Sequence, residues 1–227
     1  MPLADDIRWV LASHADPAKA EPMRAYMKSE MPFLGVQKKA RVEVERAFRD
    51  EVRRLDAESW RALAAGLWTE AAHREERYLA LAVIRMRARD LVAADLPWLR
   101  ELVVQGAWWD LVDEIAGQVI SPWVLREPSV LAHMDRWIRD PDLWVRRAAL
   151  LSQLKCKEST DQERLFAYVL ETAHERDFFI RKAIGWALRQ YAYVDPDAVR
   201  RFVNEHEPQL SGLSVREALK HLDSTHV

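Results

Sequence analysis

DLWVRRAALL (142–151), DFFIRKAIGW (177–186) and GLSVREALKH (212–221) are variants of one pattern. In each, a β-branched residue precedes an arginine: Val145–Arg146, Ile180–Arg181 and Val215–Arg216, with successive copies 35 residues apart. A fixed period of this length, carried by helix-forming residues, marks helix pairs stacked into an α-solenoid. The expected fold is therefore all-α, a solenoid of HEAT-like helical repeats whose curvature creates a concave groove. The first half repeats less clearly, and an irregular helical bundle is the alternative. No Pro/Ser/Gly-rich linker divides the chain, so residues 1–227 are expected to form a single HEAT-like repeat domain.

Composition agrees with helix throughout. Only 6 of 227 residues are glycine, too few for a protein of many tight β-turns. Asp or Ser directly precedes Pro in ADPAKAE (15–21), ISPWVL (120–125), RDPDLW (139–144) and VDPDAV (194–199), which suits an N-cap followed by proline at the first helical position. The net charge of −2 excludes a uniformly basic nucleic-acid binder, so any anion-binding surface must be a local patch. A single cysteine, Cys156, excludes an intrachain disulfide and a cysteine-based zinc site. No signal-peptide pattern opens the chain and no apolar run approaches the roughly 20 residues of a membrane span. A cytoplasmic location is the default expectation.

Common catalytic signatures are absent: no GxGxxG or Walker-type loop, no HExxH and no GxSxG. The remaining candidates are aromatic and charged residues at helical spacing. GAWWDLVDEIAG (106–117), taken as one helix, puts Trp108 on a buried stripe with Leu111, Val112 and Ile115. Trp109 then shares a face with Asp113 and the small residues Ala116 and Gly117, which leave room beside the carboxylate. Lys182, Trp186 and Arg189 share a face farther along, and Arg147 stands one repeat before Lys182. A groove carrying these side chains would be cationic and aromatic, marked by one acid. Lys and Arg suit phosphates, and Trp suits sugars, bases and cations. Large aromatics are most often core residues, and an isolated helical Asp is most often solvated. A carboxylate repels DNA, however, and is useful there only to a reaction that develops positive charge.

WWDLVD (108–113), WVRRAALLSQLK (144–155) and FFIRKAIGWALRQYA (178–192) together resemble the AlkD-type DNA alkylation repair glycosylases, built from HEAT-like repeats. KAEPMRAYMKSEMPFLGVQ (19–37) looks like the family's N-terminal segment, although KKARVEV follows where the family more usually has Thr-Pro. The resemblance covers nearly the whole chain. It implies excision of cationic N3- and N7-alkylated purines from duplex DNA, with the lesion left stacked and contacted through its sugar. It places the catalytic aspartate on Asp113, the groove tryptophans on Trp109 and Trp186, and the groove arginine on Arg147. Lys182 and Arg189, with Tyr26, Gln37, Lys38 and Lys39 in the N-terminal segment, complete the expected DNA contacts.

The chemistry fits one acid. An alkylated purine is already cationic and needs no protonation to depart, while the deoxyribose becomes oxocarbenium-like. A fixed carboxylate can stabilise that cation and orient or deprotonate water. No lysine is placed as a Schiff-base nucleophile beside Asp113, so base release without strand cleavage is expected, as a monomer and without metal or organic cofactor. The rivals are a non-catalytic DNA-binding HEAT-repeat protein and a protein-binding HEAT scaffold. The second would need apolar or acidic groove residues rather than Arg, Lys and Trp.

Overall fold

The computed structural model describes residues 2–222, and every regular element among them is helical. The chain packs as two compact units, residues 1–91 and 92–227. The first contains α1 (Pro2–Ser13), α2 (Pro17–Met27), α3 (Lys38–Ala47), α4 (Arg49–Arg54), α5 (Ala57–Thr69) and α6 (Arg74–Met86). Trp60, Leu63, Ala64, Leu67 and Trp68 recur at helical spacing on α5 and are all buried, giving it a full apolar face. Two of the chain's 10 tryptophans are thus simple core filling.

Two adjacent carboxylates of α6 organise this unit. Glu76 caps its own helix by accepting from the backbone N–H of His73 (2.9 Å) and also takes Nε of Arg8 on α1 (3.0 Å). Glu75 is fully buried and accepts from the backbone N–H groups of Leu34, Gly35 and Val36 at 3.0, 2.9 and 3.0 Å. The loop before α3 is therefore held by a side chain from 39–41 residues away. Gly35 lies at φ +83°, and a Cβ there would fall 2.0 Å from the carbonyl oxygen of Asp16. Only glycine lets the α2 entrance and this loop approach so closely.

The second unit contains α7 (Leu96–Gly106), α8 (Trp109–Glu114), a π-helical turn (Ile115–Ile120), α9 (Ser121–Arg126), α10 (Leu131–Trp137), α11 (Leu143–Leu150), α12 (Gln162–Thr172), α13 (Phe178–Ala192), α14 (Pro196–His206) and α15 (Gly212–Leu219). The three repeated stretches become α11, α13 and α15, packed side by side, with α12 and α14 connecting them. Each begins at a side-chain cap, Asp142 and Asp177 in the same register and Ser211 one residue before it. Asp142 accepts from the N–H of Trp144 and Val145, Asp177 from Phe179 and Ile180, and Ser211 from Ser214. Val145 and Ile180 are fully buried, so the repeated hydrophobe anchors the first two copies in the core, whereas Val215 of the third is only half-buried. This is the helical-repeat architecture that the 35-residue spacing implies.

Some local expectations need correction. Asp16 and Asp195 do cap helices with Pro next, but in RDPDLW the cap is Asp142, while Asp140 instead takes Arg100 in a bidentate pair (2.8 and 2.9 Å). Ser121 starts no new helix: the helical run continues through it, and its hydroxyl accepts from the backbone N–H of Lys155 at 2.8 Å. Pro122 supplies no N–H, and its ring crowds the carbonyl one α-turn earlier. The wider π-turn immediately before it accommodates that ring. Finally, 106–117 is not one helix. α7 stops at Gly106, Ala107 is left-handed (φ 34°), and Trp108 is extended at the N-cap of α8.

Candidate active site

Asp113 lies in the last turn of α8, and its partner comes from the next repeat. Nε and Nη2 of Arg147, on α11, donate to its two oxygens at 2.7 and 2.8 Å, a fork-on-fork pair. The third guanidinium nitrogen, Nη1, donates to the carbonyl oxygen of Phe179 in the first turn of α13. One arginine thus fastens α8, α11 and α13 together. Its side chain is 4% exposed and that of Asp113 is 15% exposed, so solvent reaches the acid and not the base.

This placement corrects the expectation that Arg147 meets a phosphate. All three of its nitrogens are engaged inside the protein, two of them on the Asp113 carboxylate. Burial pushes the Asp113 carboxyl above the ordinary Asp value. The hydrogen bonds and charge of Arg147 pull the other way, and the nearby Asp110 adds to the upward push. The expectation of open space beside Asp113 is also corrected. Ala116 and Gly117 are buried in the π-turn, where a Cβ on Gly117 would lie 3.7 Å from Leu154.

The break at Ala107 sends Trp108 into an aromatic cluster instead of a helix stripe. Its ring lies 5.8 Å from Trp144 and 5.1 Å from Phe179, which are 4.8 Å from each other. Phe179 therefore contributes its ring to that cluster and its carbonyl to Arg147. Trp109, at the first position of α8, and Trp186, on α13, are both half-buried, each keeping part of its indole accessible.

The model of the DNA alkylation repair enzymes matches residues 7–222 of this chain. The chain belongs to that family. A solved structure, described as a predicted DNA alkylation repair enzyme from Enterococcus faecalis, is 29% identical, covers 92% of this chain and 97% of its own, and superposes with a TM-score of 0.86. No curated protein matches. Membership in the family of DNA alkylation repair enzymes makes DNA the substrate and alkylation repair the role.

The remaining expected residues fall into two groups. Lys182 and Arg189 are brought together on α13, not by each other but by Glu217 of α15: Lys182 Nζ lies 2.6 Å and Arg189 Nη1 2.5 Å from its two oxygens. Tyr26, Gln37, Lys38 and Lys39 belong to the N-terminal unit and are all exposed, Tyr26 by 74%. Gln37 to Lys39 stand at the start of α3, directly after the loop that Glu75 holds.

Reading the sequence missed Glu217, Glu75, Trp144 and Phe179. For Glu217 a signal existed: it stands 35 residues after Lys182 and 70 after Arg147, at the same place in the repeat. The acid at Asp113 is thus not the one carboxylate among these cations, as the sequence reading assumed. Among the described residues, no group of three or more His, Cys, Asp or Glu is gathered as metal ligands, and no helix is long and apolar enough to cross a membrane.

Proposed function

We propose that the protein is a monofunctional DNA glycosylase. It hydrolyses the N-glycosidic bond of cationic N3- and N7-alkylated purines in duplex DNA and leaves an abasic site for base excision repair. The observation that supports this most is Asp113, a carboxylate still reachable from solvent and locked in orientation by a buried bidentate arginine. The relative from Enterococcus faecalis, described as a predicted DNA alkylation repair enzyme, adds the substrate context.

In this reading the alkylated purine leaves as a neutral base, taking the bonding electrons that quench its charge. Positive charge moves to C1′ and O4′ of the deoxyribose, and the Asp113 carboxylate faces it. Water adds at C1′ and gives its proton to Asp113, which returns it to solvent. Trp109 and Trp186 hold the sugar and backbone of the damaged nucleotide, each π face worth about 0.5–2 kcal/mol toward a cationic neighbour. Lys182 and Arg189, with the N-terminal Tyr26, Gln37, Lys38 and Lys39, contact the DNA backbone without reading sequence.

The test is release of 7-methylguanine and 3-methyladenine from methylated duplex, comparing wild type with Asp113→Asn. Asparagine keeps the shape and one acceptor for Arg147 but cannot stabilise a cation as an anion does. Release is expected to fall by about 100- to 1000-fold, with little change in DNA affinity. A variant that keeps wild-type rates would make Asp113 only the structural counter-ion of Arg147.

A further inference from the structure

Arg147, Lys182 and Glu217 occupy one repeat position on α11, α13 and α15, with the sign of the charge reversed at the third copy. Where Arg147 reaches back to hold an acid of the preceding repeat, Lys182 reaches forward and is held by the acid of the following one. The approach of α15 to α13 is unusually close. A Cβ on Gly185 would lie 2.4 Å from the Cβ of Glu217 and 2.9 Å from the carbonyl oxygen of Ser214. The Ser214 hydroxyl also donates to the carbonyl of Arg181 at 2.9 Å. Glycine at 185 is thus what brings Glu217 within reach of two cations.

The layering of this cluster matters. The Glu217 side chain is 14% exposed, Arg189 20% and Lys182 39%, so the ammonium is outermost and the carboxylate lies beneath it. Hydrogen bonding from Lys182, with the charges of both cations, holds the Glu217 carboxyl below the usual glutamate range, so it is ionised at neutral pH. Two cations and one anion leave a local charge of about +1. Each cation uses one donor on Glu217, while an ammonium has three and a guanidinium five. Donors therefore remain for an incoming phosphate without expelling the carboxylate.

We propose that Glu217 is an internal counter-anion that caps the affinity of Lys182 and Arg189 for DNA phosphates, keeping the protein's grip on undamaged duplex weak enough to release it. This rests on the reading of those two residues as backbone contacts. Neutralising one phosphate contributes about 0.9 to the slope of log Kobs against log salt, so one uncompensated cation has a defined signature.

The experiment is a salt titration of binding to undamaged duplex by wild type, Glu217→Gln, Glu217→Asp and Lys182→Gln, with thermal melting of each. Glutamine keeps the side-chain volume and an acceptor oxygen but removes the charge. Glu217→Gln is expected to steepen the slope by about 0.9 and to tighten binding roughly eightfold at about 0.1 M salt. Glu217→Asp keeps the charge and the wild-type slope, which a purely structural clamp does not predict. Should Glu217→Gln melt below the assay temperature, Glu217→Ser reports the same slope without leaving an amide facing two cations. A neutral variant that is folded and has an unchanged slope, or binds more weakly, overturns the counter-anion and leaves a clamp between α13 and α15. Lys182→Gln separates the underlying reading. If it lowers the slope while Glu217→Gln does nothing, only the counter-anion fails; if it too does nothing, Lys182 meets no phosphate and both fall.

Discussion

At Asp113, two requirements oppose each other. A carboxylate that stabilises a cation works best where water is scarce, and scarcity of water raises its pKa and favours the neutral form. Arg147 reconciles them: its charge and two hydrogen bonds pull the carboxyl back down, and burial of the arginine keeps that pull unscreened. The sign of the pH dependence follows. In the proposed reaction the ionised form is the active one, so base release rises with pH through the Asp113 pKa and then levels, with the limb above the ordinary Asp value. Arg147→Lys keeps a positive charge but loses the fork, so the limb moves to higher pH. Rate profiles corrected for spontaneous depurination check this, and a limb that stays or moves down removes Arg147 from the role of aiming the acid. Removing the cation altogether, as in Arg147→Gln, leaves a largely buried charge without its partner, a loss on the order of 3–5 kcal/mol. Asp113 is picked out in the sequence by its spacing from Trp109 and by the family resemblance that assigns it the catalytic role. The burial of Arg147 was not, since an arginine in a repeat looks the same whether it meets a phosphate or an acid 34 residues earlier.

Among the elements, those carried by the 35-residue repeat were legible and those shaped by tertiary contacts were not. Asp142, Asp177 and Ser211 start α11, α13 and α15 through local hydrogen bonds, which sequence alone specifies. The end of α7 carries no such sign: the left-handed residue is Ala107, and the glycine that would usually mark it stands one position earlier. Trp108 was therefore assigned to a helix face, whereas it belongs to the cluster with Trp144 and Phe179. The loop before α3 is the other hidden element. Its shape depends on Glu75, and nothing near residues 34–36 in sequence reveals that three of its amides point to one carboxylate. Hydrogen bonds to a charged acceptor contribute about 1.5–3 kcal/mol each, and glutamine would turn an N–H₂ toward N–H donors. Glu75→Gln is expected to destabilise the protein by at least about 2 kcal/mol, a fall of roughly 4–8 °C in melting temperature. Calorimetry checks it. A melting temperature within a degree of wild type would mean that the loop stands without its buried anchor.

On the scale of the whole chain, charge is nearly balanced and the cations that matter are local. Arg147 is neutralised by Asp113, Arg146 by Glu175 and Arg100 by Asp140, so these three arginines of the second unit serve its own architecture. The net charge of −2 leaves no long-range attraction toward DNA, and affinity must come from a few exposed contacts. Lys38 and Lys39 suit that role. They are exposed, they begin α3, whose amino-terminal dipole favours an anion, and the Glu75-anchored loop fixes their starting point. The repeat period that revealed the second unit says nothing about them, because the first unit follows different spacing. Its caps at Asp16, Asp56 and His73 precede helices with no Val-Arg or Ile-Arg pair in the first turn, the Ile84–Arg85 pair standing near the end of α6. If both lysines neutralise phosphates, Lys38→Gln with Lys39→Gln lowers the slope of log Kobs against log salt by about 1.8. Base release at saturating enzyme is expected to stay within about twofold, since neither side chain is needed for the bond to break. Fluorescence anisotropy between about 50 and 200 mM salt, paired with single-turnover release, measures both quantities. An unchanged slope would take the α3 entrance off the DNA, while a slope that falls together with a collapsed single-turnover rate would instead make this region part of lesion positioning.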